Sequence, residues 1–302
     1  MSLLRRLWVR GMGLFLSLLI LLGGFMVFSP ALAEKLLFQP ARSDPGQPPA
    51  ILGVEGEDLT LEAEDGVRIR GWWFPYPWTK GKGGPEGGEV FPDPPPAVLL
   101  LHGNAGNISH RIPLAEGLLR EGVSVLLLEY RGYGGSEGRP SEAGFQRDAR
   151  AGMAFLEERV EDPKRIVVFG RSMGGAVAAA LAAGQPPSGV ILESSFTSLA
   201  AMGGALYPFL PRILFRRLRG RFDTLEHVRK IQAPVFVVHG TEDRVVPFRM
   251  GETLFQAAQP PKGWYAVQGA GHNDVFWVGG REYFQILARF IREGANPSWE
   301  RP

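Results

Sequence analysis

Ser172 stands in Gly170-Arg171-Ser172-Met173-Gly174-Gly175. This hexapeptide follows the apolar run Ile166–Phe169 and precedes the small-residue run Ala176–Ala183, a good helix former. A serine at a sharp strand-to-helix turn projects its oxygen above the strand. The residues two before and two after it crowd together there, so both must be small. The same turn sets the Met173 amide at a helix N-terminus, where N–H groups and the helix dipole favour a developing oxyanion. The bland reading of the motif is a glycine-rich turn packed tightly for structural reasons. Its position after a buried strand favours Ser172 as a nucleophile.

Serine is a weak nucleophile at neutral pH and needs a base. The histidines are His102, His110, His227, His239 and His272. His272 sits in Gly269-Ala270-Gly271-His272-Asn273-Asp274, just after the last apolar run. A loop at the carboxyl end of a parallel strand is where such sites are built. His102 and His239 end strands but are followed directly by glycine, and they read as structural groups bonded to their loops. His110 and His227 fall at helix starts or faces and read as surface. The acid that orients the base is Asp243, in His239-Gly240-Thr241-Glu242-Asp243. Glu242 points elsewhere on that turn, and Glu193 is the reserve. The order Ser172, Asp243, His272 leaves gaps of 71 and 29 residues. A second oxyanion donor is expected in Leu101-His102-Gly103-Asn104-Ala105-Gly106-Asn107. The Asn104 amide is the choice, because Gly103 allows close backbone approach.

These groups need a scaffold. Leu59, Leu61 and Ala63 alternate with polar residues, Asp65-Gly66 supplies a turn, and Val67, Ile69 and Gly71 alternate again. That spacing predicts an antiparallel hairpin. Residues 75–96, rich in Pro and Gly, read as a surface loop. From residue 97, short runs apolar on both faces follow: Ala97–Leu101, Val123–Leu128, Ile166–Phe169, Val190–Leu192, Val235–Val238 and Trp264–Val267. They alternate with helical stretches near 109–121, 141–160, 174–184, 247–258 and 280–293. Alternating buried strands and helices predict an α/β fold with a mostly parallel central sheet and helices on both faces. A small helical cap is expected over about 196–230. Its run Arg212, Arg216, Arg217, Arg219 and Arg221 reads as a solvated helix face or as a patch facing anionic lipid or substrate. Trp72, Trp73, Phe74, Tyr76 and Trp78 either pack under the sheet edge or form an interfacial aromatic belt.

The chain has 302 residues, no cysteine, 45% hydrophobic and 21% charged residues. This excludes a disulfide-stapled miniprotein, a cysteine nucleophile, a Cys-ligated zinc domain and a mainly disordered chain. Residues 1–10 carry Arg5, Arg6 and Arg10, residues 11–28 carry no charge, and Ala31-Leu32-Ala33 has a small-x-small form. Residues 1–33 are therefore expected to be a signal peptide cleaved after Ala33 or a retained membrane anchor. An 18-residue helix spans about 27 Å, near the limit for a hydrocarbon core. The expected location is export, either anchored in a membrane through residues 11–28 and facing outside the cytoplasm, or secreted after cleavage following Ala33. Residues 34–56 read as a linker, 57–293 as the main domain and 294–302 as a tail. The formal charge is +2, but residues 1–33 hold three arginines and no acid. The remaining 269 residues carry 30 basic and 31 acidic side chains, a balance of −1. No nucleic-acid partner is expected from that balance.

Six motifs carry a resemblance. They are the His102–Asn107 loop, Tyr130-Arg131-Gly132-Tyr133-Gly134-Gly135-Ser136, the Ser172 hexapeptide, Glu193-Ser194-Ser195-Phe196-Thr197-Ser198, His239–Asp243 and Gly271–Asp274. In this order they resemble the α/β-hydrolase superfamily over about residues 57–293. Within it the chain is most similar to membrane-anchored α/β-hydrolase-domain proteins and bacterial serine aminopeptidase-like relatives. The Ser–Asp–His order matches that superfamily. The resemblance implies an α/β-hydrolase fold and a hydrophobic N-terminal segment before it. Eukaryotic proteins it resembles include depalmitoylases, which cleave thioesters and usually carry an N-terminal cysteine cluster that this chain lacks. The expected activity is a serine hydrolase for carboxylic esters or thioesters of a small-molecule or lipid-like acyl substrate. No metal or organic cofactor is required. An aminopeptidase-like amide hydrolase, with Glu193 binding the substrate amine, is the alternative. A non-catalytic membrane-bound scaffold is a third reading.

Overall fold

A computed structural model describes residues 37–77, 94–209 and 221–293, with residues 211, 213, 215 and 218. β1 (Gln39–Pro40) opens it. β2 (Glu57–Glu62) and β3 (Arg68–Phe74) then form the expected antiparallel hairpin around Asp65-Gly66. β4 (Ala97–Leu101) follows, and β5 (Ala105–Gly106) pairs with β1. The remaining strands are β6 (Ser124–Leu128), β7 (Ile166–Arg171), β8 (Gly189–Glu193), β9 (Val235–Gly240) and β10 (Lys262–Val267). Every residue of β4, β6, β7, β8 and β9 is buried, as fits strands covered on both faces.

The eight-stranded sheet runs β10-β9-β8-β7-β4-β6-β3-β2. β4 pairs in parallel with both β6 and β7, while β3 joins β6 antiparallel. The chain therefore builds outward from β4 on one side, then crosses back to β7 on the other. That reversal makes the carboxyl ends of β4 and β7 the topological switch point of the sheet, the place where open α/β sheets bind ligands. The His102 loop and Ser172 both lie there.

Helices cover both faces. α1 (Ile112–Arg120), α2 (Glu142–Arg159), α3 (Met173–Gly184), α4 (Leu199–Leu206), α5 (Thr224–Val228), α6 (Phe248–Ala257) and α7 (Val275–Glu293) alternate with the strands. Leu99, Leu101 and Val168 pack with Phe145 and Met153 of α2 and Val177 of α3 on one face. Val98, Leu100 and Val167 pack with Leu118 of α1 and Leu287 of α7 on the other. α7 starts earlier than the expected residue 280. Gly280, at φ 54°, breaks the helical backbone inside it, which hides the first turn from a period-based reading.

The segment expected to be a linker is partly packed. Phe38 is buried against Phe145, with ring centroids 5.1 Å apart, and against Phe222 at 6.0 Å. Ile51 and Val54 are buried as well. Trp72, Trp73, Phe74 and Tyr76 are all buried, so these four belong to the core rather than to a belt. α4 and α5 lie within the segment expected to form the cap, and Arg221 pairs with Glu142 at 3.2 Å. Residues 1–33, Trp78, Arg212, Arg216, Arg217, Arg219 and the 294–302 tail lie outside the described residues. Among the described residues no helix is long and apolar enough to cross a membrane.

A Cβ at Gly170 would overlap the backbone of Gly174, which cannot swing aside. Gly170→Ala is expected to cost about 1–3 kcal/mol through overpacking. Gly184, at the exposed end of α3, leaves open space where a methyl would stand, with nothing within 4 Å of it. Gly184→Ala is expected to be neutral or to gain up to about 1 kcal/mol. Thermal denaturation of the two variants checks this, and equal melting temperatures would contradict the packing argument.

Candidate active site

Ser172 sits between β7 and α3 at φ 53° and ψ −117°. A non-glycine residue in this region costs on the order of 1–3 kcal/mol and persists only where its surroundings enforce it. The surroundings here are backbone. The Ser172 amide donates to the Glu193 carbonyl at 2.8 Å. Added methyls at Gly174 and Gly175 would overlap the Leu101 carbonyl and the Ser195 hydroxyl. The turn is thus wedged between the ends of β4 and β8, and both glycines are steric requirements.

Asp243, after β9, and His272, after β10, meet at Ser172. Nε2 of His272 lies 3.1 Å from Ser172 Oγ, and Nδ1 lies 2.7 Å from Asp243 Oδ2. The carboxylate fixes the proton on Nδ1 and leaves Nε2 free to accept the serine proton. Asp243 Oδ1 accepts the Val245 and Val246 amides, each at 2.8 Å. Burial pushes the Asp243 carboxyl up, but bonds from His239, His272 and Val246 outweigh it and hold it well below the usual carboxylate range. The loop is held as tightly: Asp274 accepts the Gly271 amide at 2.7 Å.

Two groups near Ser172, Asp243 and His272 escaped the sequence reading. His239, expected to be purely structural, lies 3.3 Å from Asp243 Oδ2 while bonding the Val246 carbonyl at 3.0 Å. Two acceptors facing Nε2 put its proton there, so Asp243 receives donors from two imidazoles. The four-residue spacing His239 to Asp243 was the available signal. Arg171, the variable residue of the elbow, is the second. Its Nη2 donates to the His272 carbonyl at 2.6 Å and its Nε lies 2.8 Å from Glu193. Glu193 also accepts from the Tyr283 hydroxyl. Glu193, the reserve acid, is fully buried and engaged by Arg171 and Tyr283 rather than by the His272 ring. His110 is exposed and His227 half-buried.

The Asn104 side chain turns away from Ser172. It accepts from the Gln39 amide at 3.2 Å and donates to the Leu37 carbonyl at 2.7 Å. The preceding residue, Gly103, lies against Ser172: a methyl on it would sit 3.3 Å from Ser172 Cβ and 3.9 Å from Oγ. Met173, the first residue of α3, has an amide that needs no intrahelical acceptor. Among the described residues no His, Asp or Glu cluster could hold a metal ion.

Known proteins share this arrangement of chain. Residues 92–224 match the family described as serine aminopeptidase, S33. The chain is 40% identical over 273 residues to an uncharacterized protein of Mycobacterium tuberculosis, covering 90% of this chain and 92% of that one. It is 34% identical to the α/β-hydrolase domain-containing protein WAV2 of Arabidopsis thaliana, covering 90% and 93%. Among solved structures it is similar to an esterase of Pyrococcus furiosus, with TM-score 0.68, 24% identity and coverage of 86% and 99%. A puromycin-hydrolyzing peptidase of Mycobacterium tuberculosis matches with TM-score 0.65 and 21% identity, over 82% of this chain and 40% of that one. The chain belongs to the α/β-hydrolase superfamily, and its general class is hydrolase.

A lowered carboxyl pKa contributes to stability with a definite sign. Asp243 contributes fully above its ordinary value of 3.8, and the contribution is lost as pH falls toward its native value. The melting-temperature gap between wild type and Asp243→Asn is therefore expected to narrow between about pH 5 and about pH 3. A gap independent of pH over that window would contradict the pairing.

Proposed function

We propose that the protein is a serine hydrolase that cleaves carboxylic esters or thioesters through an acyl-enzyme on Ser172. The observation that carries this reading is the unbroken hydrogen-bonded line from Ser172 Oγ through His272 to Asp243. His272 Nε2 takes the serine proton as Oγ attacks the acyl carbon. The tetrahedral oxyanion is held by the Met173 and Asn104 amides. Its collapse expels the alcohol or thiol, which receives the proton from His272. Water then attacks the acyl-enzyme with His272 again as base, releasing the acid and free Ser172. Asp243 keeps its charge throughout and stabilises the imidazolium.

The amide alternative needs an anionic subsite for a substrate amine. Glu193, the carboxylate assigned to it, has no exposed surface and faces Arg171 and Tyr283. That engagement favours ester or thioester cleavage. For location, the proposal is export with the active domain outside the cytoplasm, resting on the basic start and uncharged run of residues 11–28. A lipid-like acyl substrate suits a site held near a membrane, and Leu206, Tyr207 and Phe209 leave apolar surface at the end of α4.

Ser172→Ala and His272→Ala are each expected to lower kcat on a short-chain aryl ester by about 10⁴–10⁶-fold. A fluorophosphonate probe should label wild type and not Ser172→Ala. Persistent labelling of Ser172→Ala, or a loss of only a few-fold at His272, would remove the assignment. Rates on aminoacyl anilides rivalling those on matched esters and thioesters would favour the amide reading, and an unlabelled, inactive wild type the scaffold.

A further inference from the structure

Glu129 and the Tyr130–Ser136 motif that follows it have no part in the proton relay, yet Glu129, Tyr130 and Tyr133 are fully buried. His102 and Glu129 have no exposed surface. His102 Nε2 lies 2.9 Å from Glu129 Oε1, and His102 Nδ1 lies 2.7 Å from the Gly103 carbonyl. Glu129 Oε2 accepts the Ile108 amide at 2.9 Å. Gly134 is what admits the carboxylate, since a methyl there would overlap Oε2.

The proton placement follows from the acceptors. A carbonyl facing Nδ1 requires a proton on Nδ1. Oε1 of Glu129, 2.9 Å from Nε2, fixes the rotation of the ring with Nδ1 on the Gly103 carbonyl. The consequence lies on the other side of one peptide plane. In a trans peptide the C=O and N–H point in opposite directions. His102 pulls the Gly103 carbonyl inward, which turns the Asn104 N–H outward, and Gly103 abuts Ser172. The next carbonyl is fixed as well: the Tyr133 hydroxyl donates to Asn104 O at 3.0 Å. The Tyr130 hydroxyl donates to His102 O at 3.2 Å.

We infer that the buried His102–Glu129 pair, with Tyr133, is a positioning device that aims the Asn104 amide at the oxyanion. This rests on the serine-hydrolase reading. His102 never touches the reacting atoms; it acts through the Gly103–Asn104 peptide. The sequence motif that follows β6 thereby acquires a role: its glycine makes room for the carboxylate and its tyrosines clamp the loop.

The test compares kcat, KM and the inhibition constant of an aryl trifluoromethyl ketone, whose serine adduct carries an oxyanion. Losing a whole oxyanion donor costs about 10²–10³-fold in kcat, so misaiming one should cost about 10–100-fold. His102→Leu and Glu129→Leu are expected to lower kcat by that factor with KM nearly unchanged, and to weaken the ketone in parallel. His102→Asn keeps an N–H near the Nδ1 position, and Glu129→Gln donates to Nε2 while still accepting from Ile108. Both should recover most of the loss. Tyr133→Phe removes one hydroxyl and guards against a leucine variant that fails to fold; it should weaken the ketone several-fold. Unchanged ketone affinity in folded leucine variants and Tyr133→Phe would overturn the inference, as would His102→Asn being as impaired as His102→Leu. Those outcomes leave an active, labelled wild type in place, whereas a wild type that neither turns over esters nor reacts at Ser172 would sink the serine-hydrolase reading itself.

Discussion

The backbone at Ser172 is the constraint on which the rest depends. A serine at φ 53° is strained, and the strain is held by contacts that leave no room for side chains. Gly170 meets Gly174, Gly174 meets the end of β4, and Gly175 meets Ser195 after β8. The three central strands must end at matched heights for these contacts to exist. The parallel register between β4, β7 and β8 supplies that match, pairing Leu101 with Gly170 and Arg171 with Glu193. The sheet core is therefore a precondition of the geometry at Ser172, which stands where the strand order reverses about β4.

Charge around this turn is layered. Closest to Ser172 lies an imidazole with a carboxylate behind it, and that carboxylate receives two backbone amides and a second imidazole. Beneath the elbow, Arg171 faces the buried Glu193 and reaches the carbonyl of His272. Beneath the opposite wall, His102 faces the buried Glu129. Each buried carboxylate is matched by a cation or a ring donor, as a low-dielectric interior requires. Each pair also touches the loop that carries a candidate functional group, so burial and positioning are served by the same contacts.

Much of this was legible in the sequence because it is local. The hairpin follows from alternation around Asp65-Gly66, the parallel strands from short runs apolar on both faces, and the elbow from its glycines. Ser172, Asp243 and His272 were each readable as residues at strand ends. What was not legible depends on chain crossing. Nothing near Phe38 in sequence signals Phe145 and Phe222 as its partners, so residues 34–56 read as a linker. The Glu129–His102 contact joins the ends of β4 and β6 across 27 positions, and the Arg171–His272 contact spans 101. Early α7 was hidden by Gly280, whose positive φ interrupts the helical period.

The central claim is that Ser172 carries the acyl group during turnover. Rapid-quench mass spectrometry of the full chain, mixed with a slowly deacylated aryl ester, tests it directly. The account requires an early burst of phenol and one acyl adduct on the peptide containing Ser172, absent from Ser172→Ala. Steady hydrolysis with no adduct, or with the adduct on another peptide, would contradict it.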